Sequence, residues 1–178
     1  MTSFYSENEL LNIGFKSIGK NVLVSRKASI YSAKDISIGS NVRIDDFVIL
    51  SGNISIGNNI HISAYAAIYG AYGVILEDYT GLSPRVTIYS AMDDFSGNYL
   101  IGPIHPVQFT NVKGGLVRLS RFAHIGANSI VFPNIKIGEG TVVGAMSLVT
   151  KDLESWTVFV GVPVKKIKDR ENKMLNLI

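Results

Sequence analysis

Aliphatic residues recur at every sixth position between residues 119 and 150. The positions that start these blocks are Leu119, Ile125, Val131, Ile137, Val143 and Val149. The fifth place of each block is small or β-branched: Ala123, Ser129, Ile135, Thr141 and Ser147. The fourth place holds Asn128, Asn134 and Gly140, residue types that adopt a left-handed backbone conformation at low cost. A period of six predicts a parallel β-helix, in which each block is a short strand plus a turn and three blocks complete a coil.

The same frame extends through most of the preceding chain. Earlier runs of block starts are Ile18, Val24 and Ile30, then Ile38, Ile44, Leu50, Ile56, Ile62 and Ile68, then Leu76, Leu82 and Ile88. Asparagine again takes the fourth place at Asn21, Asn41, Asn53 and Asn59. The frame slips by two residues at Ile36–Ser37 and at Val74–Ile75, which preserves the alternation of side chains and lengthens one turn. Three blocks per coil predict about six coils.

Three segments lie outside the repeat. The Ser6-Glu7-Asn8-Glu9 sequence is a capping box that predicts a short helix ending near Gly14. Residues 90–116 lack the six-residue period and contain aromatic side chains. We therefore predict a loop that projects from the β-helix and packs on a neighbouring molecule. Apolar spacing from Val164 onward predicts a C-terminal helix. The expected layout is one domain over 1–178: a cap at 1–17, the β-helix at 18–152 with its loop at 90–116, and a tail with helix at 153–178.

Composition narrows the class of protein. A chain of 178 residues with 47% hydrophobic residues supports one core, and no apolar run is long enough to span a membrane. We expect no export signal at the N-terminus. The absence of cysteine excludes disulfides and fits the reducing cytoplasm, where we expect the protein to act. The net charge of +3 is small, and the lysine and arginine residues are not interleaved with aromatic residues that could stack on bases. The sequence therefore does not indicate nucleic-acid binding.

The repeat resembles the hexapeptide-repeat acyltransferases over nearly the whole chain. The most specific stretches are IGANSIVFPNIKIGEGTVVGAMSLVTKDL and VFVGVPVKKIK, which are similar to the coenzyme A-binding end of galactoside and maltose acetyltransferases. The stretch RVTIYSAMDDFSGNYL resembles a branch linked to O-antigen and other surface-polysaccharide synthesis, whose members acetylate amino groups of nucleotide-linked deoxyamino sugars such as GDP-perosamine. The resemblance implies a left-handed β-helix, acetyl-CoA as co-substrate, and homotrimers with active sites between neighbouring chains.

The resemblance also implies a coenzyme A track. The pantetheine arm would pass Ala127 and Ala145, whose small side chains let an extended chain approach the backbone. Thr150 and Lys151 would lie near the adenine end, and Lys165 and Lys168 would meet the phosphates. For the lysines, a solvated helix face is the alternative interpretation.

Family members commonly use a loop histidine as general base, and the resemblance aligns Asp93 with that position. Asp93 or Asp94 would orient an ammonium and take or relay its proton, which fits an amine acceptor. His105, in the same loop, is the alternative base, whereas His61 and His124 fall within the repeat and are interpreted as structural. The acceptor would contact three further side chains: Ser63, Arg85 and Tyr89.

Three functions remain open at this stage. The first is an acetyl-CoA-dependent N-acetyltransferase acting on a nucleotide-linked amino sugar, with Asp93 or Asp94 in the catalytic role. The second is an O-acetyltransferase acting on a sugar hydroxyl, with His105 as base. The third is a non-enzymatic β-helix scaffold. We expect no metal site, because the three histidines lack the close pair that trimeric metal sites use.

Overall fold

Three strand-bearing faces wrap around a single core in the computed structural model, which describes residues 3–177. Each strand pairs in parallel with the equivalent strand of the preceding coil and with that of the following coil. The result is a left-handed β-helix of about seven turns. This confirms the fold class that the six-residue period predicts.

The strands, in chain order, are Ser17–Ile18 (β1), Val22–Val24 (β2), Ser29–Tyr31 (β3), Ile36–Ile38 (β4), Val42–Ile44 (β5), Ile49–Ile56 (β6), Ile60–Ile62 (β7), Ala67–Leu76 (β8), Gly81–Leu82 (β9), Thr87–Tyr89 (β10), Ala91–Asp93 (β11), Val112–Gly114 (β12), Val117–Leu119 (β13), His124–Ile125 (β14), Ile130–Val131 (β15), Lys136–Ile137 (β16), Val142–Val143 (β17), Leu148–Val149 (β18), Thr157–Val160 (β19) and Lys165–Asp169 (β20). Face A holds β1, β4, β13, β16 and the second halves of β6 and β8. Face B holds β2, β5, β7, β9, β14, β17 and β19. Face C holds β3, β10, β15, β18 and the first halves of β6 and β8.

The residues that start the six-residue blocks form the central part of the core. From Ile38 to Val149 these side chains are at most 2% exposed, and each stacks on its equivalent in the adjacent coil. Full burial of such a side chain stabilises a fold by roughly 1.5–3 kcal/mol. On an α-helix, residues six positions apart would point in different directions. This spacing therefore buries them together only in a coil with three faces.

Most corners turn through one residue in the left-handed region. Asn21, Asn41 and Asn59 have φ of 55–57°, and the side-chain amide of Asn21 donates to Asn41 and that of Asn41 to Asn59, each at 3.0 Å. Asn53 departs from the expectation, because the positive φ at that corner belongs to its neighbour Gly52. Gly140 takes the same conformation beneath the ring of Trp156: a Cβ at Gly140 would lie 2.4 Å from that ring. Glycine is therefore required there both by the backbone and by packing.

The two frame slips are absorbed at corners. A 3₁₀ helix, Ala33–Asp35, takes up the first slip. The second falls within β8, where Gly73 has a φ of 96° and the strand bends from face C onto face A. Both slips leave the inward positions in register, as the preserved alternation predicts.

The C-terminal end differs from the expectation in two ways. The coil count is about seven rather than six, because Leu153 bridges to Ile137 and Thr157–Val160 stacks on Val142–Val143 as a further coil. The predicted helix from Val164 is wrong: Lys165–Asp169 forms a strand antiparallel to β19, and a 3₁₀ helix, Lys173–Leu177, follows it. The open backbone edge of β19 offers this segment hydrogen bonds that an isolated helix with one buried residue cannot match.

The short N-terminal helix is confirmed. Helix α1 (Glu7–Ile13) has both hydrogen bonds of the capping box between Ser6 and Glu9, and Gly14 ends it in the left-handed conformation. Leu10 is 3% exposed and joins the core, so the helix covers the N-terminal end of the coil stack. Within residues 3–177, no helix combines the length and apolar character needed to cross a bilayer.

The aperiodic segment 90–116 leaves and re-enters the coil at one point. Its base is an antiparallel pair, β11 with β12, and it contains a 3₁₀ helix, Val107–Phe109. The Gly115 amide donates to the Ser90 carbonyl at 2.9 Å, which closes the neck of the loop. Several apolar side chains remain exposed on it: Phe95, Tyr99, Ile104, Val107 and Phe109.

Replacing Gly140 by alanine should destabilise the fold by about 2–4 kcal/mol, because left-handed strain and collision with Trp156 add together. Gly97→Ala is the matched control, since Gly97 also has a positive φ (87°) but has nothing within 4 Å of its Cβ position. We expect this control to lose about 1 kcal/mol at most. Denaturant unfolding monitored by tryptophan fluorescence measures both, and equal losses would remove the packing argument.

Candidate active site

Asp94 fastens the base of the projecting loop. Its carboxylate accepts from the Ser96 amide at 2.7 Å and from the Asn111 side-chain amide at 2.8 Å, and it forms an ion pair with Lys113 at 3.0 Å. These hydrogen bonds, those from Ser96 foremost, hold the pKa of Asp94 well below its usual range although the residue is buried. The side chain is fully occupied within the loop, so Asp94 is suited to structural support rather than to proton transfer.

Asp93 has the opposite environment. It is half-buried, and its carboxylate has one long contact, from the Gly102 amide at 3.4 Å. It lies on β11, and Ala91, Met92 and Asp93 of this strand line two cavities. Asp93 therefore borders both cavities, and its weakly engaged carboxylate can engage a ligand.

The two cavities differ in lining. The larger, of about 630 Å³, has mixed walls and is called the polar cavity here, because the hydrogen-bonding side chains of Tyr72, His105, Thr110 and Asn111 lie beside apolar ones such as Pro103 and Val107. The smaller, of about 370 Å³, is walled beyond β11 by Tyr89, Phe95, Phe132 and Pro133. Asp93 and His105 thus share the polar cavity, and Tyr89, which stacks on Tyr69 with ring centroids 5.3 Å apart, belongs to the apolar one.

A second group of expected site residues lies along the corner between faces B and C. Backbone hydrogen bonds fix its vertical order: the Arg85 amide donates to Ala64, the Asn128 amide to Pro84, and the Met146 amide to Ala127. The corner column therefore includes Ser63, Arg85, Ala127 and Ala145 on successive coils. The Arg85 guanidinium lies 5.0 Å from the centre of the Tyr65 ring and, within residues 3–177, forms no ion pair. Its charge is available to an anionic ligand.

The lysines of the C-terminal strand differ in whether their charges are paired. Lys166 forms ion pairs with Asp169 and Glu154, which raise its pKa to about 12. Lys165 and Lys168 form no ion pair with any described residue and remain exposed. Lys165 pairs with Val160, which lies beneath Gly144 at the foot of the B–C corner. Lys165 and Lys168, the lysines expected to meet the phosphates, are thus both exposed and without an ion partner among the described residues.

Not all expected residues come together within one chain. Strand β10, which ends at Tyr89, lies between Arg85 at the B–C corner and the loop with Asp93 and His105. Neither cavity is lined by Ser63 or Arg85. Thr150 and Lys151 follow β18 and lie on the loop side of face C, away from Ala127 and Ala145. One chain thus carries two groups of site residues on opposite edges of face C.

Sequence reasoning missed a hydroxyl–imidazole pair. The Ser83 hydroxyl lies 3.0 Å from Nε2 of His124, directly beside Arg85. Burial, followed by the charges of Arg170 and His61, lowers the pKa of His124 and so favours the neutral imidazole. The available signal was Gly81 itself, which pairs with both His61 and His124 and leaves room above it for a ring.

His61, interpreted as structural, is tied to the fold. Its Nε2 lies 2.7 Å from an oxygen of Asp45, whose other oxygen accepts from Arg43. Burial opposes the charge of Asp45, but these two hydrogen bonds prevail and lower its pKa. Among residues 3–177, no three histidine, cysteine, aspartate or glutamate side chains are grouped so as to hold a metal ion.

Comparison with known proteins gives the family. No protein-family model matches the chain. It is, however, 44% identical to the dTDP-4-amino-4,6-dideoxy-D-glucose acyltransferase of Escherichia coli, over 98% of this chain and 93% of that protein. The chain belongs to the hexapeptide-repeat acyltransferases. This membership overturns the alternative of a non-enzymatic scaffold.

Solved structures of acyltransferases have the same fold as this chain. AntD, an N-acyltransferase from Bacillus cereus solved with dTDP and 3-hydroxybutyryl-CoA, is 56% identical, with a TM-score of 0.97 over 99% of this chain and 95% of AntD. Other AntD structures carry a replaced serine or a replaced aspartate and contain coenzyme A. The GDP-perosamine N-acetyltransferase of Caulobacter crescentus is 20% identical with a TM-score of 0.64, covering 91% of this chain and 62% of that one, and shares the fold.

Removing the Asp94 side chain should loosen the loop of this acyltransferase while leaving the coils intact. In Asp94→Ala, amides in residues 94–111 should exchange with solvent roughly tenfold faster or more, because a buried charged acceptor of three donors is lost. Asp93→Ala is the control and should leave exchange in this range unchanged except at Gly102, whose amide donates to Asp93 at 3.4 Å. Hydrogen exchange followed by mass spectrometry reports both.

The pH dependence of loop protection follows from the lowered pKa of Asp94. A carboxylate with a lowered folded-state pKa contributes stability above its unfolded value, about 3.9, and loses it as the pH falls toward the folded value. Loop protection in the wild type should therefore hold from pH 8 to about pH 5 and fall below about pH 4. Loss of protection already between pH 7 and 6 would contradict the assignment.

Proposed function

We propose that this acyltransferase moves an acyl group from acyl-CoA to the amino group of a nucleotide-linked aminodeoxy sugar. The observation that carries the proposal is Asp93: a weakly engaged carboxylate on a strand that lines both the polar and the apolar cavity. Relatives similar over nearly the whole chain act on such a sugar or are named N-acyltransferases. We place the reaction in the cytoplasm and its product in surface-polysaccharide synthesis, O-antigen included.

The nucleotide that we propose is thymidine diphosphate. The E. coli relative is named for a dTDP-linked 4-amino-4,6-dideoxyglucose, and AntD variants have been solved with that sugar nucleotide and coenzyme A. The GDP-linked sugar suggested by the sequence resemblance has weaker support, because the corresponding structure is only 20% identical. Arg85, whose charge no carboxylate neutralises, is the proposed contact for the diphosphate, with Ser63 on the same corner.

The proposed complete site lies between neighbouring copies of a homotrimer. Each chain presents Ser63, Arg85, Ala127 and Ala145 on one edge of face C and Asp93 on the other. Docking the loop of one chain against the B–C corner of the next would join the two groups and cover the exposed loop residues Ile104, at 87%, and Val107, at 85%. Pantetheine would pass Ala127 and Ala145, and the phosphates would meet Lys165 and Lys168 at the foot of the corner, with Thr150 and Lys151 toward the adenine end.

The chemistry follows from these positions. The neutral amine nitrogen attacks the thioester carbonyl carbon, a nitrogen–carbon bond forms, and the carbon–sulfur bond breaks. Asp93 orients the incoming amine and takes the proton that the nitrogen loses as it becomes an amide. The thiolate of coenzyme A leaves and receives that proton, so no other acid or base is consumed. The neutral His124 and the Ser83 hydroxyl are suited to accept a hydrogen bond from the sugar on the corner side.

The alternative function is O-acetylation of a sugar hydroxyl with His105 as base. His105 lines the polar cavity together with Asp93, so the geometry gives it access to the same ligand. A hydroxyl must be deprotonated as it attacks, which histidine does near neutral pH and a carboxylate does poorly. In this alternative, His105 rather than Asp93 is indispensable.

Two isosteric variants separate the N- and O-acyltransferase mechanisms. Asp93→Asn should lower kcat by about 10²–10⁴-fold, because a positioned proton acceptor is lost. His105→Asn should lower it less than about tenfold. Thiol release from acetyl-CoA, at saturating acetyl-CoA and with dTDP-4-amino-4,6-dideoxyglucose as acceptor, measures both. The reverse order would favour the hydroxyl acceptor, and two active variants would exclude both assignments.

Mixing two inactive variants tests whether the site is shared. Ala145→Trp should block the pantetheine track, and Asp93→Asn should remove the proton acceptor. If each site takes Asp93 from one chain and Ala145 from its neighbour, co-refolded 1:1 mixtures should regain about one quarter of wild-type activity by random assembly. Mixtures without recovered activity, from variants that assemble normally in light scattering, would place the site within one chain.

A further inference from the structure

We infer that Tyr65 is a positioning residue for the acceptor: stacked on Phe47, its ring holds the Arg85 guanidinium where it binds the diphosphate of the nucleotide-linked sugar. The inference rests on the proposed function, in which Arg85 contacts that diphosphate, and adds the side chains that orient it. Neither aromatic residue lines the polar or the apolar cavity, so both lie outside the walls described so far.

Four side chains follow one another along the B–C corner and form what we call the cation–aromatic ladder: Lys27, Phe47, Tyr65 and Arg85. Backbone hydrogen bonds place the last three at the same corner position of successive coils. The rings of Phe47 and Tyr65 stack with centroids 4.8 Å apart and planes inclined by 23°. The guanidinium carbon of Arg85 lies 5.0 Å from the centre of the Tyr65 ring, and Nζ of Lys27 lies 5.4 Å from that of Phe47. Both cations are within the ~6 Å over which a ring attracts a positive charge.

The two ends of the ladder differ in the availability of their charge. Nζ of Lys27 forms an ion pair with Asp46 at 3.0 Å, which neutralises that end. Arg85 is exposed, and its guanidinium has no hydrogen bond or ion pair to a residue that the structure describes, which leaves the Tyr65 ring to orient it. A guanidinium held over a ring keeps its planar set of N–H donors free, and that set fits the oxygens of a diphosphate.

The backbone indicates that the aromatic side chains serve more than the turn. Phe47, Tyr65 and Arg85 have φ of 61°, 63° and 61°, in the left-handed region that is unfavourable for bulky residues. The corner between faces A and B makes the same turn with Asn41 and Asn59, at a φ of 57°. Phe47 and Tyr65 are 44% and 50% exposed, so burial offsets little of this cost. Support of the cation explains two residues that neither the turn nor the core requires.

The corner between faces A and B also contains an aromatic pair that serves as a comparison. There Tyr79, with a φ of 60°, stacks on Phe122 with ring centroids 5.1 Å apart. Phe122 is buried and lies next to Trp156, with centroids 6.3 Å apart, so this pair belongs to the packing of the coils. Tyr79 thus matches Tyr65 in backbone conformation and in stacking, but it lies on a different edge of the β-helix from Arg85.

Replacing Tyr65 by asparagine removes the ring and keeps a residue that accepts the left-handed turn. Arg85 then retains its charge, but the ligand must order a side chain with high rotamer freedom. We expect KM for dTDP-4-amino-4,6-dideoxyglucose to rise by about fivefold while kcat stays within about twofold. Tyr65→Phe keeps the ring and should keep the wild-type KM. Tyr79→Asn is the matched control and should leave KM unchanged.

A double-mutant cycle tests whether Tyr65 acts through Arg85. Arg85→Ala should weaken the binding of dTDP, measured by titration calorimetry, by about tenfold or more. In the Arg85→Ala background, Tyr65→Asn should add less than about twofold, because no guanidinium is left to orient. A role of Tyr65 that is independent of Arg85 would make the two factors multiply. That result, or an unchanged KM in folded Tyr65→Asn and Tyr65→Leu, would overturn the inference.

The same measurements separate this inference from the proposed function. Binding of dTDP needs no turnover, so the cycle is informative even when no amino sugar accepts an acyl group, the result that would overturn the proposed function. Normal transfer together with a dTDP affinity that Arg85→Ala and Tyr65→Asn leave unchanged would overturn the role of the ladder alone. Equal thermal unfolding of Tyr65→Asn and Tyr79→Asn assigns a changed KM to the site rather than to the fold, and Tyr65→Leu provides the readout if Tyr65→Asn fails to fold.

Discussion

The vertical stacking of inward aliphatic side chains is the constraint on which the rest of this molecule depends. Each coil must return to the same axial line, and most corners do so through a residue that tolerates the left-handed conformation. Once the coils are in register, residues from distant parts of the sequence form straight columns along the corners. The candidate site consists of such columns: Ser63, Arg85, Ala127 and Ala145 come from different coils and share one edge.

The sequence predicts the repeat well and the site only in part. The inward positions are readable because two places of the six-residue block are restricted together, which is unusual for a helix or an ordinary strand. The contact between Ser83 and His124 is hidden, because 41 residues, including the loop, separate two side chains that lie one coil apart. Asp93 and Asp94 are neighbours with the same chemistry, and only the hydrogen bonds of the folded loop distinguish them.

The C-terminal segment illustrates a different limit. Val164, Ile167 and Met174 are spaced in a way that fits a helix, yet Val164 alone of these is fully buried, and Ile167 is 57% exposed. A helix with so little to bury gains little from forming. The backbone of β19, unpaired on its outer side, favours an added strand instead, and the charged side chains of Lys165–Asp169 then cover that edge. The segment forms a strand because β19 is available as a hydrogen-bonding partner, which the local sequence pattern does not reveal.

The closed neck of the projecting loop has a consequence for how such enzymes diversify. Because Ser90 and Gly115 meet in a hydrogen bond, β10 pairs with β15 and β8 with β13 as though the intervening segment were absent. The cost of closing a loop grows only slowly with its length. Insertions, deletions or exchange of this segment between lineages would therefore leave the solenoid and its B–C corner unchanged. The part of the candidate site that Asp93 and His105 form can in this way change without altering the corner columns of the solenoid.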